Sequence, residues 1–123
     1  MIKLLIIEDD SFLKEIEIEK FNKCGFDTVT AMTVTEIETY LNDKTPDIIL
    51  LDLMLPNVDG FQILSMLKSN EKTKDVSVFI FSNLSDEKEV KRAIDAGAKE
   101  FLIKSNYTLD ELIEKIKASV PKS

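Results

Sequence analysis

Glu8, Asp9 and Asp10 follow the apolar run Leu4-Leu5-Ile6-Ile7, and Asp52 closes a second run, Ile48-Ile49-Leu50-Leu51. Two buried strands that both end in carboxylates bring those carboxylates together if the strands lie parallel and adjacent. Parallel strands covered on both faces read as unbroken Ile/Leu/Val runs, as both of these do. Carboxylates gathered at one strand edge repel each other, and a cation among them relieves the repulsion. All-oxygen ligands suit a hard divalent ion that keeps some of its waters, Mg²⁺ or Mn²⁺.

The elements that must position these acids alternate along the chain. Strand patterns run from Lys3 to Ile7, Phe26 to Ala31, Asp47 to Leu51, Ser77 to Phe81 and Glu100 to Ile103. Helix signals lie between them. Ser11 is placed to cap a first helix that ends at Gly25, the usual position of a left-handed terminator. Thr33-Val34-Thr35-Glu36 is a capping box opening a helix toward Leu41, and Thr108-Leu109-Asp110-Glu111 is another opening the last helix. A third helix is predicted from near Gly60 to about Lys68, and a fourth from near Ser85 to Gly97. In the last helix Leu109, Leu112, Ile113, Ile116 and Val120 form one apolar stripe, with Glu111 and Lys115 facing water as an i,i+4 pair. Strict strand–helix alternation with short loops predicts a parallel sheet covered by helices on both faces. Right-handed crossovers then gather ligands at the carboxyl ends of the strands, where Glu8, Asp9, Asp10 and Asp52 all lie.

A chain of 123 residues buries a core as a single domain without covalent staples. The single cysteine, Cys24, rules out an internal disulfide framework and favours a reduced, cytoplasmic setting. Cys24 is expected to be a small core residue of the first helix. Ile18 lies off the Leu13/Ile16/Cys24 face and is expected at the surface, where it could dock a partner. No signal-peptide pattern precedes the first strand, and no apolar stretch reaches the roughly 18–20 residues of a membrane span. A formal charge of −7 argues against direct nucleic-acid binding. The absence of histidine excludes Ser-His-Asp and Cys-His catalysis and any His-bearing zinc site.

Ile6-Ile7-Glu8-Asp9-Asp10, Leu51-Asp52-Leu53-Met54-Leu55-Pro56-Asn57-Val58-Asp59-Gly60, Phe81-Ser82 and Lys104 together resemble a response-regulator receiver domain, over essentially the whole chain. The resemblance implies one doubly wound (βα)5, flavodoxin-like domain over residues 1–123, with a five-stranded parallel sheet of order 2-1-3-4-5 and no effector domain in this chain. It implies that Asp52 is the phosphoacceptor. Asp9 would bind Mg²⁺ or Mn²⁺ directly, Glu8 through a water, and Asp52 and the backbone carbonyl of Met54 would complete the set. Lys104 would pair with Asp52 and then with the phosphoryl oxygens. The Ser82 hydroxyl would donate to a phosphoryl oxygen, and Phe101 would rotate with it. Asp10, the third acid in the row, reads instead as a helix-start acid favoured by the macrodipole. Pro56 and Gly60 shape the loop.

Three positions depart from the family. Asn83 replaces a small residue and could crowd or hydrogen-bond the phosphoryl group. Phe101 replaces a frequent tyrosine and lacks its hydroxyl. Ser105 replaces the proline that usually follows the lysine. A cis bond there would cost about 3–4 kcal/mol without proline, so Lys104-Ser105 is expected to be trans.

The resemblance implies a signalling protein that is not itself an enzyme, although it assists its own phosphorylation and dephosphorylation. Its phosphoryl donor would be a sensor histidine kinase or histidine phosphotransfer protein, and its output a downstream protein target or effector domain. Two other classes share features of the pattern. A hydrolase with an aspartyl nucleophile usually needs an acid two residues later, where this chain has Met54. A flavin-binding module of the same sheet order needs a Ser/Thr/Gly-rich phosphate loop after the first strand, where Glu8-Asp9-Asp10 would repel phosphate.

Overall fold

In the computed structural model, which describes residues 2–56 and 58–120, the apolar runs become five strands. They are β1 (Ile2–Ile7), β2 (Phe26–Ala31), β3 (Ile48–Leu51), β4 (Ser77–Ser82) and β5 (Glu100–Ile103). All pair in parallel, in the order β2-β1-β3-β4-β5. The intervening helices are α1 (Ser11–Lys23), α2 (Val34–Asp43), α3 (Gly60–Ser69), α4 (Glu87–Asp95) and α5 (Leu109–Ser119), with a 3-10 turn at Lys104–Asn106. This is the flavodoxin-like α/β architecture expected from the alternation.

Alternate residues of each strand serve opposite faces. Leu5, Ile7, Ile49, Leu51, Val78 and Ile80 pack with Ile37 and Leu41 of α2, Ile63, Leu64 and Leu67 of α3, and Ala93 of α4. Leu4, Ile6, Ile48, Leu50, Phe79, Phe81 and Leu102 pack on the other face with Phe21 of α1 and Leu112, Ile113 and Ile116 of α5. Both faces are covered, which is why the central runs Leu4–Ile7 of β1 and Ile48–Leu51 of β3 are apolar and buried at every position, whereas β2 at the sheet edge carries Asp27, Thr28 and Thr30. Register then decides where the acids fall. Ile7 pairs with Leu51, so Glu8 and Asp52 each stand one residue beyond the same rung.

Several local expectations are corrected. Asp10, not Ser11, caps α1: its carboxylate accepts from Leu13 N–H at 3.0 Å, and Ser11 is the first helical residue. A carboxylate at that position meets the helix N-terminus with charge as well as a hydrogen bond. Cys24 is exposed rather than in the core, because α1 has ended at Lys23 and the chain is turning through Gly25. Ile18 is half-buried rather than at the open surface. The capping box at Thr108 is complete, and Glu111 spends its carboxylate there; Lys115 pairs instead with Glu100 at 3.0 Å. At Thr33 the box is half made: Thr33 accepts from Glu36 N–H, while the Glu36 carboxylate takes the N–H of Met32. Strand β3 starts at Ile48, one residue after the expected Asp47, and α4 starts at Glu87 behind an Asp86 cap. No cis peptide occurs among the described residues, as expected for Lys104-Ser105. Asn57 lies outside the described residues.

Candidate metal and phosphoacceptor site

Strand β1 delivers Glu8 and Asp9 to the carboxyl edge of the sheet, and β3 delivers Asp52. The backbone holds them in step, since Asp52 N–H donates to Ile7 O at 2.9 Å and Glu8 N–H to Ala31 O at 3.2 Å. Carboxylate oxygens of Glu8, Asp9 and Asp52 all lie within 4.8 Å of one another. Glu8 and Asp52 are 3% and 6% exposed, so water screens little of their mutual repulsion. Lys104, at the end of β5, answers it. Its ammonium lies 2.7 Å from Asp52 Oδ2 and 2.8 Å from Glu8 Oε2, bridging the two acids.

The remaining oxygens are held by the backbone. Asp52 Oδ1 accepts from Met54 N–H at 2.9 Å, and Glu8 Oε1 from Asp10 N–H at 3.2 Å. Burial pushes the Glu8 carboxyl above its usual range, with the Asp52 charge adding to the effect and Lys104 working against it. Burial also disfavours the Lys104 ammonium, but hydrogen bonds to Asp52 and Glu8 outweigh it and raise its pKa. The cluster fits a hard cation: three carboxylates converge, and a divalent ion would replace part of the neutralisation that Lys104 now supplies.

The loop after Asp52 is pressed into place. Gly60 packs so tightly on Leu53 that a Cβ there would come within 2.4 Å of the Leu53 Cα. Pro56 and Met54 are exposed on this loop, and Met54 forms a bridge with Asp59, which caps α3.

Ser82 is fully buried at the end of β4, next to β3, and its Oγ accepts from Leu84 N–H at 3.3 Å. That leaves the hydroxyl proton to be donated elsewhere. Asn83 is exposed. Phe101 is half-buried on β5 opposite Ile80, packed against the α2–α3–α4 side of the core. The structure therefore gathers Glu8, Asp9, Asp52 and Lys104 into one cluster, and puts Ser82 and Phe101 on neighbouring strands.

Sequence reasoning missed Glu17. It is 1% exposed on α1, and neither carboxylate oxygen has a hydrogen-bond partner. Burial first, and then the negative charge of Glu8, pushes it up to about 8, while Lys104 pulls the other way. The signal was present: Leu13, Glu17 and Phe21 fall at i, i+4 and i+8, so Glu17 occupies a core position of the helix.

The response regulator receiver domain model matches residues 4–117 of the chain. The chain belongs to the response regulator receiver domain family. The receiver is 31% identical over 116 residues to the phosphate regulon transcriptional regulatory protein PhoB of Escherichia coli, covering 94% of this chain and 50% of PhoB. It thus spans about half the length of the first curated relatives it matches. Among solved structures, the chemotaxis protein CheY4 of Vibrio cholerae superposes with a TM-score of 0.88 at 17% identity, covering 98% of this chain and 99% of that one. The Mn²⁺-bound form of response regulator Rcp1 superposes with a TM-score of 0.82 at 20% identity, covering 100% and 99%. Family membership sets aside the hydrolase and flavin readings: this is a signalling receiver domain of two-component systems, with an acidic triad typical of the receiver metal site.

Proposed function

We propose that the receiver is a phosphoaccepting switch in which Asp52 takes a phosphoryl group from a phosphohistidine on a sensor histidine kinase or histidine phosphotransfer protein. The observation that carries this reading is the convergence of Glu8, Asp9, Asp52 and Lys104 at the end of buried strands, with Lys104 at 2.7 Å from Asp52.

An Asp52 carboxylate oxygen attacks phosphorus, the phosphorus–nitrogen bond breaks, and its electron pair stays on the partner's imidazole. Glu8, Asp9, Asp52 and the Met54 carbonyl would hold Mg²⁺ or Mn²⁺, which neutralises the phosphoryl oxygens when bound. Met54 N–H orients the Asp52 carboxylate for the attack. Lys104 keeps its ammonium at the site and transfers its hydrogen bond from the carboxylate to a phosphoryl oxygen. Ser82 donates its hydroxyl proton to the same group, and Asn83 stands beside it at the surface. Drawing Ser82 toward the phosphoryl group favours one position of the β4–α4 loop, with Phe101 and the face of α4 following.

Output then runs through protein contacts made in the cytoplasm, to a separate target or to an effector domain, and not through nucleic acid bound by this acidic domain. Among the described residues no helix is long and apolar enough to cross a membrane. Intact-mass measurement after treatment with a small acyl phosphate tests the proposal. One added phosphoryl group is expected with Mg²⁺ and none without it. Asp52→Asn should stay unlabelled, and equal labelling of that variant would remove Asp52 from its role.

A further inference from the structure

Helix α4 is secured unevenly. Ala93 is its one fully buried residue, while Val90 and Glu89 are half-buried. Its C-terminal foot is firm. Gly97, at φ +111°, turns the chain; its N–H donates to Ile94 O at 3.0 Å, and Ala98 N–H to Ala93 O at 3.1 Å. The methylenes of Lys68 from α3 lie against Gly97, where an added Cβ would meet them at 3.1 Å. The other end rests on a local cap, Asp86 accepting from Lys88 N–H at 2.9 Å.

One side chain reaches from α4 to the segment that bears the phosphoacceptor. The Arg92 guanidinium carbon lies 3.9 Å from the centre of the Phe61 ring, and Glu89 one turn earlier flanks it at 3.6 Å. Phe61 is the second residue of α3, with its N–H on Asp59 Oδ1 at 2.9 Å. Its neighbour Gly60 is jammed against the backbone of Leu53, which directly follows Asp52. Displacement of Leu53 therefore bears directly on Gly60 and, through the chain, on Phe61.

We propose that the Phe61–Arg92 stack is a clip that couples the Asp52-bearing segment to α4 and holds α4 in its resting position. A planar guanidinium suits the face of a ring better than an ammonium does. The Arg92 side chain is 56% exposed, so the clip is weak enough to open. A cation–π contact at such a site shifts a two-state equilibrium by roughly two- to fivefold. That is enough to bias a poorly anchored helix and too little to lock it. That the segment carries a phosphoacceptor rests on the function proposed above; the coupling itself rests on these contacts.

Amide hydrogen exchange of the unphosphorylated chain tests the clip. Arg92→Ala and Phe61→Leu should each speed exchange across residues 87–95 by roughly two- to fivefold, leaving 109–119 unchanged as an internal control of the fold. Arg92→Lys should fall between Arg92→Ala and the wild type. Coupling is reciprocal, so Arg92→Ala should also loosen residues 53–61, and the double variant should exceed neither single variant. Unchanged exchange in α4, unchanged exchange in 53–61, or effects that multiply in the double variant would each overturn the proposal. Failure to label Asp52 would remove the phosphoacceptor reading and leave this exchange result to stand or fall by itself.

Discussion

Lys104 and Asp52 are 52 residues apart in the chain, yet their side chains meet at 2.7 Å, and the same ammonium holds Glu8 at 2.8 Å. One cation at the end of β5 thus closes an acidic edge built by β1 and β3. A divalent ion held by the Glu8–Asp9–Asp52 cluster would share two of its three carboxylates with Lys104, so lysine and ion would be partial substitutes for one another.

Lys104→Met should destabilise the metal-free protein by about 1–3 kcal/mol, because two buried carboxylates lose their shared partner. Glu8 softens the loss, since its raised pKa lets it take up a proton. Mg²⁺ should restore more stability to the variant than it gives the wild type. Denaturant melts with and without Mg²⁺ check this, and an equal gain in both proteins would show that lysine and cation do not substitute.

In the wild type Mg²⁺ should raise Tm, since the converging carboxylates that would bind it exist only in the folded chain. At a hundredfold excess over Kd the gain is about 2.7 kcal/mol. Asp9→Ala should abolish most of it by removing the ligand that Lys104 leaves free. Thermal scans giving the same shift for both proteins would place the binding elsewhere on this acidic surface.

Glu17 should make stability fall with rising pH. Its folded pKa is about 8 against an ordinary 4.5, so between those values the folded chain keeps a proton that the unfolded chain has lost. The stability owed to the neutral form is complete below about pH 4.5 and is lost as the pH rises toward 8. Glu17→Gln removes the proton linkage. Its stability relative to wild type should increase by ~1–3 kcal/mol from the acid to the alkaline end of this window. Parallel pH profiles for the two proteins would show that Glu17 does not titrate there.

If Asp52 takes the phosphoryl group as proposed, the phosphorylated state should be long-lived compared with fast chemotaxis-type receivers. Water access to an acyl phosphate on Asp52 would be set by the side chains two places after Asp52 and two places after Ser82. Here those places hold Met54, on the exposed loop, and Leu84, half-buried beside Ser82. Neither can orient an attacking water, and both can exclude it. Phosphoryl decay without phosphatase should speed up in Met54→Asn and Leu84→Glu; unchanged decay in both would assign control of hydrolysis to other groups.

The layered fold and the acid cluster were legible because each depends on short-range pattern. The unbroken runs at Leu4–Ile7 and Ile48–Leu51 predict strands buried on both faces, and a strand's last residue must fall at the sheet edge. Glu8 and Asp52 follow from that alone once the strands are adjacent, and the family resemblance adds Lys104. Element ends and caps were legible only to within a residue or two, as Ser11 against Asp10 illustrates, because several polar side chains in one turn compete for the same free N–H groups.

Tertiary structure decided what depends on contacts between distant segments. Cys24 is exposed because the chain turns away one residue sooner than the helical period implies. Glu17 is buried without a partner because α1 presents its Leu13–Glu17–Phe21 face to the sheet, whatever the polarity of the middle residue. Arg92 reaches Phe61 only because α3 and α4 pack side by side over the same sheet face. Periodicity records which side of an element faces inward. The identity of the group it meets there depends on register, helix placement and rotamer, which are set only when the whole chain has packed.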